Sequence, residues 1–150
     1  MRFVIAASLI FLVLVTARAG DAADAKKLQG TWEVTELIAY GTKIDAKDFK
    51  GTKFIFKDDK LTVVPGDPKG DGFVNRTFAI KLDPTKKPAA VDLVALDGNL
   101  KGTVSPGVYE LKGDTLRWCQ PDGPNTKDRP KELASPAKSD LYLITLKRAK

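Results

Sequence analysis

Polar and apolar side chains alternate in short runs along most of this chain, the two-residue period of strands with one buried face. Within Thr31–Tyr40, Trp32, Val34, Ile38 and Tyr40 fall on one side and Thr31, Glu33 and Thr35 on the other. Thr52–Lys57 puts Phe54 and Phe56 together, and Asp58-Asp59 turns that run into Lys60–Val64. A long strand is predicted over Phe73–Leu82, with Val74, Phe78, Ile80 and Leu82 sharing a face. Val91–Leu96, Val104–Leu111, Asp114–Gln120 and Leu141–Lys147 read as further strands. Between them lie Asp97-Gly98-Asn99, Lys112-Gly113 and the Pro-rich, aperiodic segment 121–140. Pro65–Gly72 and Asp83–Pro88 are turns, because Pro fixes φ and lacks a ladder donor. Helical signals are brief. Asp24 is placed to cap a helix over 25–28 that Gly30 would end, and Ile44–Phe49 accommodates one turn. About eight short strands with turn chemistry between them predict an all-β fold. Short consecutive connections favour an antiparallel up-and-down arrangement, and eight strands is the number that closes a compact barrel.

The first nineteen residues depart from this pattern. Met1-Arg2 is a positive start, Phe3–Val15 is an apolar run broken only by Ser8, and Ala17-Arg18-Ala19 offers small side chains where a signal peptidase requires them. A spanning helix needs about 20 apolar residues, and this run has thirteen. The expectation is a secretory signal peptide over 1–19, cleaved before Gly20. Residues 20–150 then form a single domain that works in the periplasm or outside the cell. That length supports a self-sufficient core without metal or disulfide. Cys119 is the sole Cys, so no intramolecular disulfide is available.

Charge changes this picture little. Arg2 and Arg18 lie in the leader, so the mature segment carries 23 basic and 19 acidic residues, a net +4 without long like-charge blocks. That describes a solvated surface and gives no sign of nucleic-acid binding. The absence of His removes the commonest general base and most zinc sites. No spacing selects a pair of carboxylates, so no catalytic residue, cofactor or metal site is assigned and a non-enzymatic role is expected. Asp67-Pro68-Lys69-Gly70-Asp71-Gly72 has a cation where a calcium loop needs an oxygen, and is a turn.

Several segments carry a resemblance. Leu28-Gln29-Gly30-Thr31-Trp32 resembles the Gly-x-Trp opening of lipocalin-like barrels. Residues 78–88 (Phe78 to Pro88), Val91-Asp92-Leu93, residues 107–116 (Gly107 to Leu116), residues 129–133 (Arg129 to Leu133) and Leu146-Lys147-Arg148 are similar, in order, to an uncharacterised lipocalin-like domain family abundant in planctomycete bacteria. The resemblance spans nearly all of Leu28 to Arg148. It implies an exported β-barrel and brings no established activity.

Individual residues suggest binding. Strict alternation places Arg76 with Phe78, Ile80 and Leu82, aiming a guanidinium into the barrel, and Glu36 sits likewise between Val34 and Ile38. A buried Arg needs an anion, either Glu36 or the carboxylate of an apolar ligand. Alternatively both lie at the mouth or beside a bulge and reach water, a reading favoured by the ease with which long side chains snorkel. Trp32, Phe54, Phe56, Phe78, Tyr109 and Trp118 either line a ligand cavity or fill the interior outright. Trp32 is expected to close one end, with Arg148 over its ring. Cys119 is either an outward reactive thiol beside Arg117 or an inert one covered by segment 121–140, and the usual burial of Cys favours the second.

Two functions remain open on these grounds. One is a binding module for a small apolar or amphiphilic ligand, with segment 121–139 as a lid. The other is a non-catalytic structural or interaction domain of the cell envelope with a filled core. A cavity of roughly 300 Å³ or more separates the first from the second.

Overall fold

The computed structural model describes residues 19–69, 73–123 and 128–150. The expected leader, except Ala19, lies outside the described residues, as do Gly70, Asp71 and Gly72 of the turn after Pro65. Helix α1 (Ala19–Leu28) leads into nine strands: β1 (Gly30–Ala39), β2 (Thr42–Lys43), β3 (Lys53–Lys57), β4 (Lys60–Val64), β5 (Arg76–Asp83), β6 (Ala89–Ala95), β7 (Val104–Lys112), β8 (Thr115–Pro121) and β9 (Leu141–Arg148). All neighbours pair antiparallel, and β1 also pairs with β9, closing an eight-stranded barrel from which the two-residue β2 hangs on β1. None of the described helices is long and apolar enough to cross a membrane.

The turns explain the tight connections. β3 and β4 meet at Lys57↔Lys60 around Asp58, whose φ of 56° belongs to the left-handed region that two-residue hairpins require. β7 and β8 use Gly113, at φ 57°, in the same way between Lys112 and Thr115. Strands β5 to β9 start and end within a few residues of their predicted limits, with one correction. β5 begins only at Arg76, so Val74 precedes the ladder and is 55% exposed instead of facing inward.

The larger correction is in β1. The pairing with β9 steps from Val34↔Leu146 to Glu36↔Thr145, leaving Thr35 as an extra bulged residue. A bulge moves every later side chain to the opposite face. Leu37 and Ala39 therefore take the inward places assigned to Ile38 and Tyr40, and Glu36 turns outward to Lys43 at 2.7 Å. Ile38 packs outside the barrel, against a small apolar cluster of Val108, Cys119 and Leu143. Tyr40 is 42% exposed at the rim.

That outer cluster exists because segment 128–139 covers it. Arg129 Nη1 donates to the carbonyls of Val91 and Gly107, both at 2.8 Å, and its Nη2 reaches Asp92 at 2.6 Å. Further along, Arg117 donates to Leu133 O at 3.2 Å, and Ser135 Oγ donates to Leu141 O at 2.6 Å. Ala137 then lies so close to Gly41 that a Cβ there would stand 2.5 Å from its backbone. The expected lid is thus a strap across the outer wall of β6–β9 and β1. Among the described residues of this segment, Pro121, Asp122 and Gly123, at its start, are the ones that reach the barrel mouth.

Helix α1 closes the other end. Asp24, expected as a cap, is inside the helix, where its carboxylate accepts from the Tyr109 phenol at 2.7 Å. Leu28 is fully buried, and its carbonyl accepts from Trp32 Nε1 at 2.8 Å. The Arg148 guanidinium lies 4.3 Å above the centroid of the Trp32 ring, as the sequence suggested. It also donates to the carbonyls of Lys27 and Gln29, satisfying acceptors that a helix C-terminus leaves open.

Candidate functional site

The barrel interior divides into a filled half and an open half. Next to α1, the rings of Trp32, Phe56, Tyr109 and Trp118 are each at most 2% exposed and pack with Leu116 and Leu146. Phe56 and Tyr109 meet Trp118 at centroid distances of 5.9 and 6.1 Å. These four aromatics therefore make a solid floor. The polar ends of Tyr109 and Trp118 are used internally, on Asp24 and on Gln120 Oε1.

Above this floor is a cavity of about 350 Å³ that opens at the end opposite α1. Every barrel strand contributes to its wall: Leu37 from β1, Phe54 from β3, Leu61 and Val63 from β4, Phe78 from β5, Leu93 from β6, Ser105 from β7, Gln120 from β8 and Ile144 from β9. Arg76 stands higher on β5, near the mouth. Phe73, Leu100 and Tyr142 complete the apolar surface near the rim. Of the eight ligand-site candidates in the sequence, the structure brings Arg76, Phe54 and Phe78 to the cavity and puts Trp32, Phe56, Tyr109 and Trp118 beneath it. Glu36 is outside the barrel, where hydrogen bonding to the Lys43 ammonium holds its carboxyl below the usual carboxylate range.

Sequence reasoning missed Leu37, because the bulge is invisible to alternation. It also missed Ser105 and Tyr142, which lie at strand ends where periodicity is weakest. Phe73 and Leu100 reach the cavity from loops, and no periodic signal marks them.

The polar groups of the site differ sharply in their partners. On one side of the mouth, the Tyr40 hydroxyl donates to Asp122 and meets the Tyr142 hydroxyl at 2.6 Å. Hydrogen bonding to Asp122 and then to Tyr142 pushes the Tyr40 phenol well above its ordinary range, and burial raises that of Tyr142. This trio is self-satisfied. Arg76 Nε and Ser105 Oγ, in contrast, are buried side-chain atoms without a hydrogen-bond partner. They are the two such atoms among the described residues, and both line this cavity. Leaving a buried polar group unpaired costs about 1–3 kcal/mol, so the site is incomplete as it stands.

The cysteine is remote from all this. Cys119 is fully buried on the outer wall, with its thiol 3.4 Å from Ala134 O under the strap. Burial pushes the thiol up to about 11. Among the described residues no three of His, Cys, Asp and Glu come together as metal ligands. Set against protein-family models, curated proteins and solved structures, the chain matches none of them.

Proposed function

We propose that this chain is an exported, non-enzymatic binding module whose barrel holds one small apolar or amphiphilic molecule. The observation that carries the reading is the cavity itself. A barrel of eight strands is narrow enough for side chains to fill completely, and the half beside α1 is filled in that way. The other half leaves about 350 Å³ between apolar walls, with an open mouth. Volumes from about 300 Å³ upward with a few convergent polar groups are characteristic of small-molecule sites. A scaffold that acts only through its outer surface gains nothing from an unfilled core, since lost packing destabilises. The leader-like segment 1–19 supports the exported setting, and the lipocalin-like resemblance agrees with both parts of the proposal.

The direct test uses a neutral apolar dye. Nile red is expected to bind the mature protein with enhanced fluorescence, and Val63→Trp, which pushes an indole into the cavity, should weaken binding by about tenfold or more. Circular dichroism of the variant checks that the barrel persists. Dye binding that ignores Val63→Trp, or a wild type that does not bind the dye, overturns the reading.

A further inference from the structure

The Arg76 guanidinium is built into the cavity wall without a counter-charge. Its Nε is buried and unpartnered, and no ion pair engages it among the described residues. Arg76 as a whole is half-buried, so what stands orphaned is the Nε–H donor, and a buried donor without an acceptor has a cost. The acid that alternation placed nearest, Glu36, faces the other way and is held by Lys43 at 2.7 Å. Asp97 is the next candidate, because the guanidinium lies beside Gly98, where an added Cβ would be 3.6 Å from Nη2. Its carboxylate is already committed to the backbone N–H of Thr77 at 3.0 Å. The cavity's own acids stand elsewhere: Asp122 just beyond β8 is occupied by Tyr40, and Asp48 belongs to the turn that follows β2.

Ser105 supplies the second half of the pattern. It sits on β7, two strands round the ring from β5, opposite Leu93 of β6 in the ladder. Its Oγ is the other buried orphan, and it opens onto the same cavity. Both donors without acceptors open onto one cavity, Ser105 lying in register, through Leu93, with Ile80, four residues along β5 from Arg76, and the cavity is otherwise walled by apolar side chains such as Phe54, Leu61 and Ile144. The cavity thus has two unpaired donors on its wall, the Asp48 and Asp122 carboxylates at its mouth and apolar side chains elsewhere.

We propose that Arg76 and Ser105 form the head-group site for a carboxylate amphiphile whose tail occupies the lower cavity. This rests on the binding-module reading and specifies its ligand. A guanidinium presents parallel N–H donors that match the two oxygens of a carboxylate, and a hydroxyl can donate to the same group. One cation matches one negative charge. A doubly charged phosphate would bring excess charge into a mouth that already holds Asp48 and Asp122.

The test is competition against bound Nile red near neutral pH, using dodecanoate and dodecanol, which share a tail and differ in the charge of the head. Wild type is expected to prefer dodecanoate by about tenfold or more, the range of hydrogen bonds to charged groups. Arg76→Met should abolish that preference while leaving dodecanol binding in place. Arg76→Lys should restore part of it, since charge remains and the planar fork does not. Ser105→Ala should reduce it about threefold. Equal affinities for the two probes, with a ratio that Arg76→Met does not move, overturn the head-group site and leave the binding module standing. If Nile red fails to bind wild type, both fall. Should Arg76→Met not fold, Ser105→Ala decides, and an unchanged preference there counts against the site.

Discussion

Trp32→Ala is expected to lower the unfolding free energy by about 4–7 kcal/mol, close to the whole stability of many domains of this size. The ring is fully buried at the closed end of the barrel. Removing it leaves a void that neighbouring strands cannot close, at about 3–5 kcal/mol for a large aromatic. It also strips Leu28 O of the donor that holds α1 in place, and Arg148 of the face it covers at 4.3 Å. Those losses add about 1–2 kcal/mol. Trp32→Phe keeps most of the packing and loses the N–H, so it should cost about half as much or less. Urea unfolding of residues 20–150 measures both. A loss below about 2 kcal/mol for Trp32→Ala would mean that the α1 end is loosely closed and the floor of the cavity is wrongly placed.

Cys119 should be nearly inert. Its thiol ionises at about 11 instead of 9.0, which lowers the thiolate fraction at moderate pH by about a hundredfold, and the strap blocks access as well. Labelling of native protein by a neutral maleimide at moderate pH is therefore expected to be at least about a hundred times slower than in denaturant. Arg129→Ala, which releases the strap from Val91, Gly107 and Asp92, should recover much of the rate. The same burial has a thermodynamic counterpart. The unfolded chain gives up the thiol proton near 9 and the folded one near 11. The contribution to stability is thus complete below 9, and is lost as pH rises through 11. Relative to Cys119→Ala, wild type should lose about 2–3 kcal/mol across that window. Rapid labelling of the native thiol, or parallel pH profiles for the two proteins, would contradict the covered position.

Much of the barrel was legible in the sequence because its strands obey a period of two and its hairpins use residues suited to positive φ. The β4 limits and the short turn at 46–48 were readable from local chemistry, and the expectations of Arg148 over Trp32 and of a covered Cys119 also agree with the structure. The failures have a common cause: each depends on an event that breaks the period. One extra residue at Thr35 reverses the phase of β1 and brings Leu37 inward, while Glu36 stands beside the bulge in reach of water, the alternative favoured for it from the sequence. No composition or spacing rule reveals a bulge whose neighbours are ordinary strand residues. Segment 121–140 was recognised as long and aperiodic, but its course depends on Arg129 finding two backbone carbonyls far away in sequence. The division of the aromatics between floor and wall was likewise hidden, because Phe54 and Phe56 lie on the same face of one strand and differ only in depth along the barrel axis.

The two orphaned atoms give the site its meaning. Arg76 was singled out by alternation, although the strand that carries it begins later than expected. Ser105 had no sequence signal at all, since a Ser at a strand end usually reaches water. Only the closed sheet puts both on one cavity and buries the Arg76 Nε and the Ser105 Oγ.

Native mass spectrometry of the protein purified from its own host tests the central claim most directly. The expected result is a polypeptide beginning at Gly20 that carries one small molecule, released on denaturation and identified as a carboxylic acid with an apolar tail. A bare polypeptide mass throughout, gently ionised and freshly purified, would contradict the binding-module account.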